Sequence, residues 1–192
     1  MVAPMPHATI LPLAELAALL APRQAAGACI VCTNGVFDLM HIGHLRYLTT
    51  ARAMGDLLVV GVNSDASTRR LKGPTRPLVP AAERAEMLAG LTCVDFVTIF
   101  EETTAEELVR VLHPAIYVKG GDYTINNASS SDPGTSSASA VAAKPLPEAA
   151  IVLAYGGRVQ LVPYVPGHST TELIDRIVEG SHQHLGSTST HS

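Results

Sequence analysis

Ala28-Cys29-Ile30-Val31-Cys32-Thr33 runs straight into Asn34-Gly35-Val36-Phe37-Asp38-Leu39-Met40-His41-Ile42-Gly43-His44, and these seventeen residues decide the fold. The first six form a short continuous apolar run, the pattern of a parallel strand buried on both faces. Asn34-Gly35 makes a turn. Beyond it Leu45, Leu48 and Ala51 share one face of a helix, which Gly55 is expected to stop as a C′ glycine.

The same alternation continues outward. Leu57 to Val62 is a second apolar strand, closed by Asn63-Ser64-Asp65. Arg69 to Pro80, with its basic residues, prolines and glycine, reads as an irregular loop, after which Pro80 opens a helix through Leu88. Val94 to Phe100 is a third strand. Thr104 and Glu107 have capping-box spacing and start a helix to Leu112. Ile116 to Val118 and Val159 to Val162 are the fourth and fifth strands, and Thr170 to Val178 is the last helix. Upstream, Leu11, Leu13, Leu16, Leu19 and Leu20 recur at helical spacing. Strands alternating with helices predict an α/β fold, a doubly wound five-stranded parallel sheet covered on both faces.

One domain is expected over residues 1–180, since 192 residues suffice for one real core and hardly for two. Residues 126–143 are dense in Ser, Ala and Asn and read as a mobile insertion, and 181–192 as a disordered tail. The net charge of −4 excludes a general nucleic-acid footprint. No apolar run reaches the roughly 18–20 residues of a membrane span, and Met1 to Leu20 lacks a basic signal region, so a cytoplasmic protein is expected. Three cysteines are no disulfide framework. Cys29 and Cys32 stand three apart on a strand, pointing to opposite faces, so no thiol function is assigned to them.

Chemistry concentrates at the carboxyl end of the first strand, where open α/β sheets bind ligands. The following helix start offers unpaired N–H groups and a favourable dipole to phosphate. His41 and His44, three apart, face the same side, and Gly43 between them lets an anion approach the backbone. Two imidazoles there can donate hydrogen bonds to a phosphorus centre as charge builds on its oxygens. Arg69, Arg70, Lys72 and Arg76 form the densest basic cluster, which from charge alone reads as a solvated basic loop, with a local answer to the overall negative charge as the alternative. Ser169, Thr170 and Thr171 precede the last helix, where they can cap it, hold phosphate, or both.

The stretch from Thr33 to His44 has the form Thr-x-Gly-x-Phe-Asp-x-x-His-x-Gly-His. It resembles the cytidylyltransferase-like nucleotidyltransferases. The likeness extends through Gly55 to Asp65, Arg70 to Gly73 with Arg76-Pro77, Glu83-Arg84, Lys119 to Tyr123 and Ser169 to Thr171. Together these resemble the adenylyltransferases of D-glycero-β-D-manno-heptose 1-phosphate, in the freestanding form without a kinase domain. The resemblance implies a Rossmann-like fold and transfer of AMP from ATP to a sugar 1-phosphate, with pyrophosphate released. It gives His41, His44 and Lys72 catalytic roles. It places Thr33, Asn34, Gly35, Phe37, Gly43, Gly120, Asp122, Ser169, Thr170 and Thr171 around the nucleotide. Arg84 is assigned a triphosphate or subunit contact, beside the plainer role of a surface helix arginine. Asp38 ties down its turn, with a metal-side role as the alternative. Magnesium is implied on ATP, with no metal held by protein ligands alone. A homodimer or larger assembly is implied as well, with the helix from Leu11 to Leu20 a possible contributor.

Two departures bear on the acceptor: the length of the segment 126–143, and His168 where the heptose enzymes commonly carry Arg. The rival readings are a cytidylyltransferase acting on a glycerol or amino-alcohol phosphate and a non-catalytic nucleotide sensor.

Overall fold

A computed structural model describes residues 8–121, 123–124, 144–163 and 170–186. The chain runs β1 (Thr9–Ile10), α1 (Leu13–Ala25), β2 (Ile30–Gly35), α2 (Ile42–Arg52), β3 (Leu57–Asn63), α3 (Asp65–Lys72), α4 (Ala81–Ala89), β4 (Phe96–Phe100), α5 (Glu106–Leu112), β5 (Ile116–Gly120), β6 (Tyr123–Thr124), β7 (Lys144–Pro145), α6 (Pro147–Ala154), β8 (Arg158–Val162) and α7 (Thr170–Gly186). The main sheet has the order β1-β4-β3-β2-β5-β8, and every pairing is parallel. A short pair, β6 with β7, stands apart.

The sheet has six strands where the sequence predicted five. The extra one, β1, is two residues long and pairs with β4 at the edge. Too short to show a period, it is held by its neighbours: Ala8 donates to the Ala89 carbonyl at 2.9 Å and Leu11 to Val97 at 3.0 Å.

Alternation along the strands feeds two apolar layers. Val31, Leu58, Val60 and Val97 pack with Leu48, Ala51, Ala85 and Leu88 from α2 and α4. On the other face Ile30, Cys32, Val59 and Tyr117 meet Leu16 and Leu20 of α1, Leu108 and Leu112 of α5, and Val152 of α6. Cys29 packs with the first layer and Cys32 with the second, as the strand period requires. Both are free thiols, and burial pushes Cys32 up to about 12. Leu16 and Leu20 thus spend their side chains on the core of this chain.

Several boundaries moved. The stretch read as a loop from Arg69 begins inside α3, because Ser64 caps that helix by accepting from Ser67 N. Gly55 lies beyond the end of α2, and an added Cβ would stand 2.6 Å from the Cys29 carbonyl, so close approach to β2 explains it better than capping. The Thr104–Glu107 box does not form. Ala105 is the N-cap of α5, and its N–H donates to Glu148 of α6, a helix the sequence reading missed. The tail expected from residue 181 is helical as far as Gly186. Residues 126–143 lie outside the described residues. Among those described, no helix is long and apolar enough to cross a membrane.

Candidate active site

β2 lies between β3 and β5, and the chain order reverses across the β2–β5 pair. That is the topological switch point, where a crevice opens beyond the carboxyl ends of the strands. The connection from β2 to α2 fills one wall of it. Phe37 there adopts φ 50, a left-handed conformation unusual for an aromatic residue. Gly35 makes this possible by leaving room: an added Cβ would lie 3.0 Å from the Phe37 ring. The ring itself is buried and sits 5.4 Å from His44, centroid to centroid.

His41 is the N-cap of α2 with extended backbone, φ −142 and ψ 171, and its side chain makes no capping bond. Its carbonyl accepts from His44 N at 2.9 Å, a tightened first turn that draws the two histidines together. Their rings lie 3.9 Å apart at 32°, so the pair faces one side as its spacing predicted. Burial, and then the charge of His41, push His44 down to about 4, and its Nδ1 is buried with no hydrogen-bond partner. Near neutral pH His44 is therefore an uncharged imidazole that can present one N–H.

The first turn of α2 also differs from every other described helix. It contains no acidic residue, whereas α1, α3, α4, α5, α6 and α7 carry Glu15, Asp65, Glu83, Glu106, Glu148 and Glu172 there. An acid at a helix start satisfies the positive end of the dipole. Leaving it out keeps that end available to an external anion.

Other expected site residues meet protein partners. Thr33 is fully buried, with its hydroxyl 2.6 Å from that of Tyr47, which donates to the Val118 carbonyl at 3.0 Å. Tyr47 crosses β5 at Gly120, where an added Cβ would come within 3.2 Å of its ring. Asn34 Oδ1 accepts from Tyr117 at 2.5 Å and from Lys119 at 2.6 Å. Tyr47, Tyr117 and Lys119 were not singled out from the sequence as site residues. Arg84 departs most from expectation. Its side chain is 0% exposed, and it donates to the Val79 carbonyl, to the Val36 carbonyl at 2.5 Å and to Asp65 at 2.8 Å. It is neither a surface arginine nor aimed at solvent. It braces the backbone next to Phe37 from inside.

Lys72 ends α3 and is exposed; among the described residues it forms no ion pair. Asp38 does tie down its turn, accepting from Leu78 N and Val79 N and pairing with Arg76. Thr170 opens α7 and donates to the Leu39 carbonyl at 3.4 Å, which joins the last helix to the histidine turn. Gly43 sits within the first turn of α2. Asp122, His168 and Ser169 lie outside the described residues, and of Thr171 only the helical backbone is described. No group of three or more His, Cys, Asp or Glu among the described residues could hold a metal.

The chain is similar to proteins already known. The bifunctional protein HldE of Geotalea uraniireducens is 48% identical over 178 residues, which cover 93% of this chain and 33% of that protein. The HldE of Pelobacter propionicus is 50% identical over 164 residues, 85% of this chain and 30% of its own length. The chain thus spans about a third of the curated relatives it matches. Among solved structures, a lipopolysaccharide core biosynthesis protein from Thermoplasma volcanium is 27% identical with TM-score 0.51, covering 72% of this chain and 98% of its own. A pantoate-beta-alanine ligase from Francisella tularensis, at 10% identity and TM-score 0.51, covers 81% of this chain and 67% of its own and shares the fold alone. The cytidylyltransferase-like family model matches residues 32–176, from β2 into α7, and the chain belongs to that family.

Proposed function

We propose that this chain transfers AMP from ATP to a sugar 1-phosphate, a heptose 1-phosphate, forming an ADP-sugar and pyrophosphate. The observation that carries the reading is the His41–His44 pair, rings 3.9 Å apart, at a helix start that has no acid of its own. Membership in the family and the similarity to the HldE proteins support the acceptor class.

In this reading an oxygen of the acceptor phosphate attacks the α-phosphorus in line. The new P–O bond forms as the bond to the bridging oxygen breaks, and pyrophosphate carries that electron pair away. His41 and His44 donate hydrogen bonds to oxygens around the α-phosphorus, where negative charge builds in the transition state. The N–H groups opening α2 hold phosphate through the helix dipole. Lys72 brings a positive charge to the phosphates from the end of α3. Asn34 contributes to the nucleotide pocket from the end of β2, Thr33, fully buried, supports it through its bond to Tyr47, and Thr171 is a further proposed contact. Asp122 and Ser169 complete the proposed contacts. No covalent enzyme intermediate is required.

Magnesium would arrive with the nucleotide and be held largely by phosphates and water, as this ion prefers, and the Asp38 carboxylate already meets N–H and guanidinium donors. When bound the ion offsets triphosphate charge. The enzyme is proposed to be cytoplasmic and to work as a homodimer or larger. Light scattering at micromolar protein tests the assembly, and a monomer mass would remove it.

The decisive assay is pyrophosphate release from ATP, CTP, GTP and UTP with magnesium, across phosphorylated acceptors including heptose 1-phosphates. Release with ATP and a heptose 1-phosphate, lost in His44→Ala, is the expected result. Release with CTP and a polyol phosphate would keep the reaction class and discard the acceptor. Nucleotide binding without release for any pair would favour a sensor.

A further inference from the structure

The start of α3 is held firmly. Ser64 caps it and donates to Glu101 at 2.6 Å, and Ser67 donates to the Glu102 carbonyl at 2.6 Å. In the last turn Arg70 donates to the Glu101 carbonyl, while Lys72, the final residue, is exposed. Past Lys72 the chain turns at Gly73, φ 98, with Arg76 N donating back to the Gly73 carbonyl at 3.2 Å. The next fixed points are Arg76, Leu78 and Val79, and all three converge on one carboxylate.

That carboxylate is Asp38, three residues before His41 and only 2% exposed. Its Oδ1 accepts from Leu78 N at 2.8 Å and Val79 N at 2.9 Å. Its Oδ2 accepts from Leu78 N at 3.0 Å and meets the Arg76 guanidinium at 2.8 Å. Charge-assisted bonds of this kind are the strong ones and are geometrically specific. From the opposite side Arg84 joins the Val79 and Val36 carbonyls and Asp65. The segment 73–80 is therefore bracketed by two buried charges, each bonded also to the turn that holds the histidines.

We propose that Asp38 is a positioning residue that couples Lys72 to the histidine turn by clamping the α3–α4 connection. The proposal rests on the adenylyl-transfer reading for Lys72, but the clamp has a readout that does not. A ligand group misplaced by about 1 Å costs on the order of 100-fold in rate, so a loosened clamp shows in kcat while the fold persists.

The test is a cycle of Asp38→Asn, Lys72→Ala and the double variant, with hydrogen exchange at the Leu78 and Val79 amides. Asp38→Asn is expected to lose about 100-fold in kcat and to speed exchange at those two amides. In the Lys72→Ala background the same substitution should cost about tenfold or less, because the share that acts through Lys72 is gone and only the share through the histidine turn remains. Losses that multiply in the double variant would overturn the coupling to Lys72. Unchanged exchange at Leu78 and Val79 would overturn the clamp itself. If Asp38→Asn does not fold, Arg76→Met removes the ion pair and keeps the two N–H bonds, and its smaller loss should likewise shrink without Lys72. A parent chain that turns over no substrate pair fails the enzymatic reading instead. Triphosphate affinity then replaces kcat in the same cycle, with the same two outcomes deciding.

Discussion

Two helices start side by side at the carboxyl ends of neighbouring strands, α2 after β2 and α3 after β3, and they treat their starts in opposite ways. The start of α3 is closed: Ser64 accepts from Ser67 N, Asp65 sits in the first turn, and Glu101 and Glu102 bind the surrounding hydroxyls. The start of α2 is open: His41 caps with its backbone alone, no acid follows, and Phe37 holds a left-handed backbone beneath the histidines. The closed start gains stability from its own side chains. The open start forgoes a cap worth about 1 kcal/mol and keeps its dipole for something outside the chain. Fold is maintained at one end and the proposed site lies at the other, within the same structural layer.

The strongest way to break the contrast is to remove the chemistry from the open start. His44→Ala is expected to lower kcat by roughly 10²–10³-fold, the cost of deleting one preorganised donor at a developing charge. Pyrophosphate release measures it. Making α2 resemble α3 should come next. Ile42 is 42% exposed, and Ile42→Asp puts a carboxylate in the first turn. Triphosphate affinity should fall about tenfold, equivalent to about 1.4 kcal/mol, while the helix itself gains about 0.3–1 kcal/mol. Calorimetric titration beside thermal melting reads both, and equal or tighter binding would end the idea of an open anion site.

Acid sharpens the contrast further. His44 is held below its ordinary value, at about 4, so between pH 6.5 and 4 the unfolded chain binds a proton that the folded site resists. Stability is present above pH 6.5 and is lost as pH falls toward 4. Once the pH is below both values the ligand-free chain should have lost about 3 kcal/mol from this group, and His44→Ala should flatten that part of the pH–Tm curve. Smallest is Ser64→Ala at the closed start, expected to cost about 0.5–1 kcal/mol of stability. Melting should register it as a drop of a few degrees.

The residues from Cys29 to His44 contain most of the candidate site that the sequence points to. A short continuous apolar run bounded by turn residues is the pattern of a strand buried on both faces, and two histidines three apart across a glycine at a strand end point toward a phosphate site. That reasoning is local, which is why it reached β2, β3, β4 and the paired rings. It failed where local signals competed. Ser64-Asp65 closes a strand and caps a helix equally well, and only the partner Ser67 decided between them. Thr104 and Glu107 had the spacing of a cap, but Glu148 from a distant helix took the Ala105 N–H instead. β1 had no pattern at all.

The sequence by itself determined the kind of sheet, its two apolar layers and the place of the histidine turn, because side-chain period and turn chemistry act between near neighbours. Only the tertiary structure decided what Asp38, Arg84, Thr33 and Asn34 do. Each is bonded to residues 14 to 85 positions away, and the free energy of a buried polar group depends on which partner the fold delivers to it.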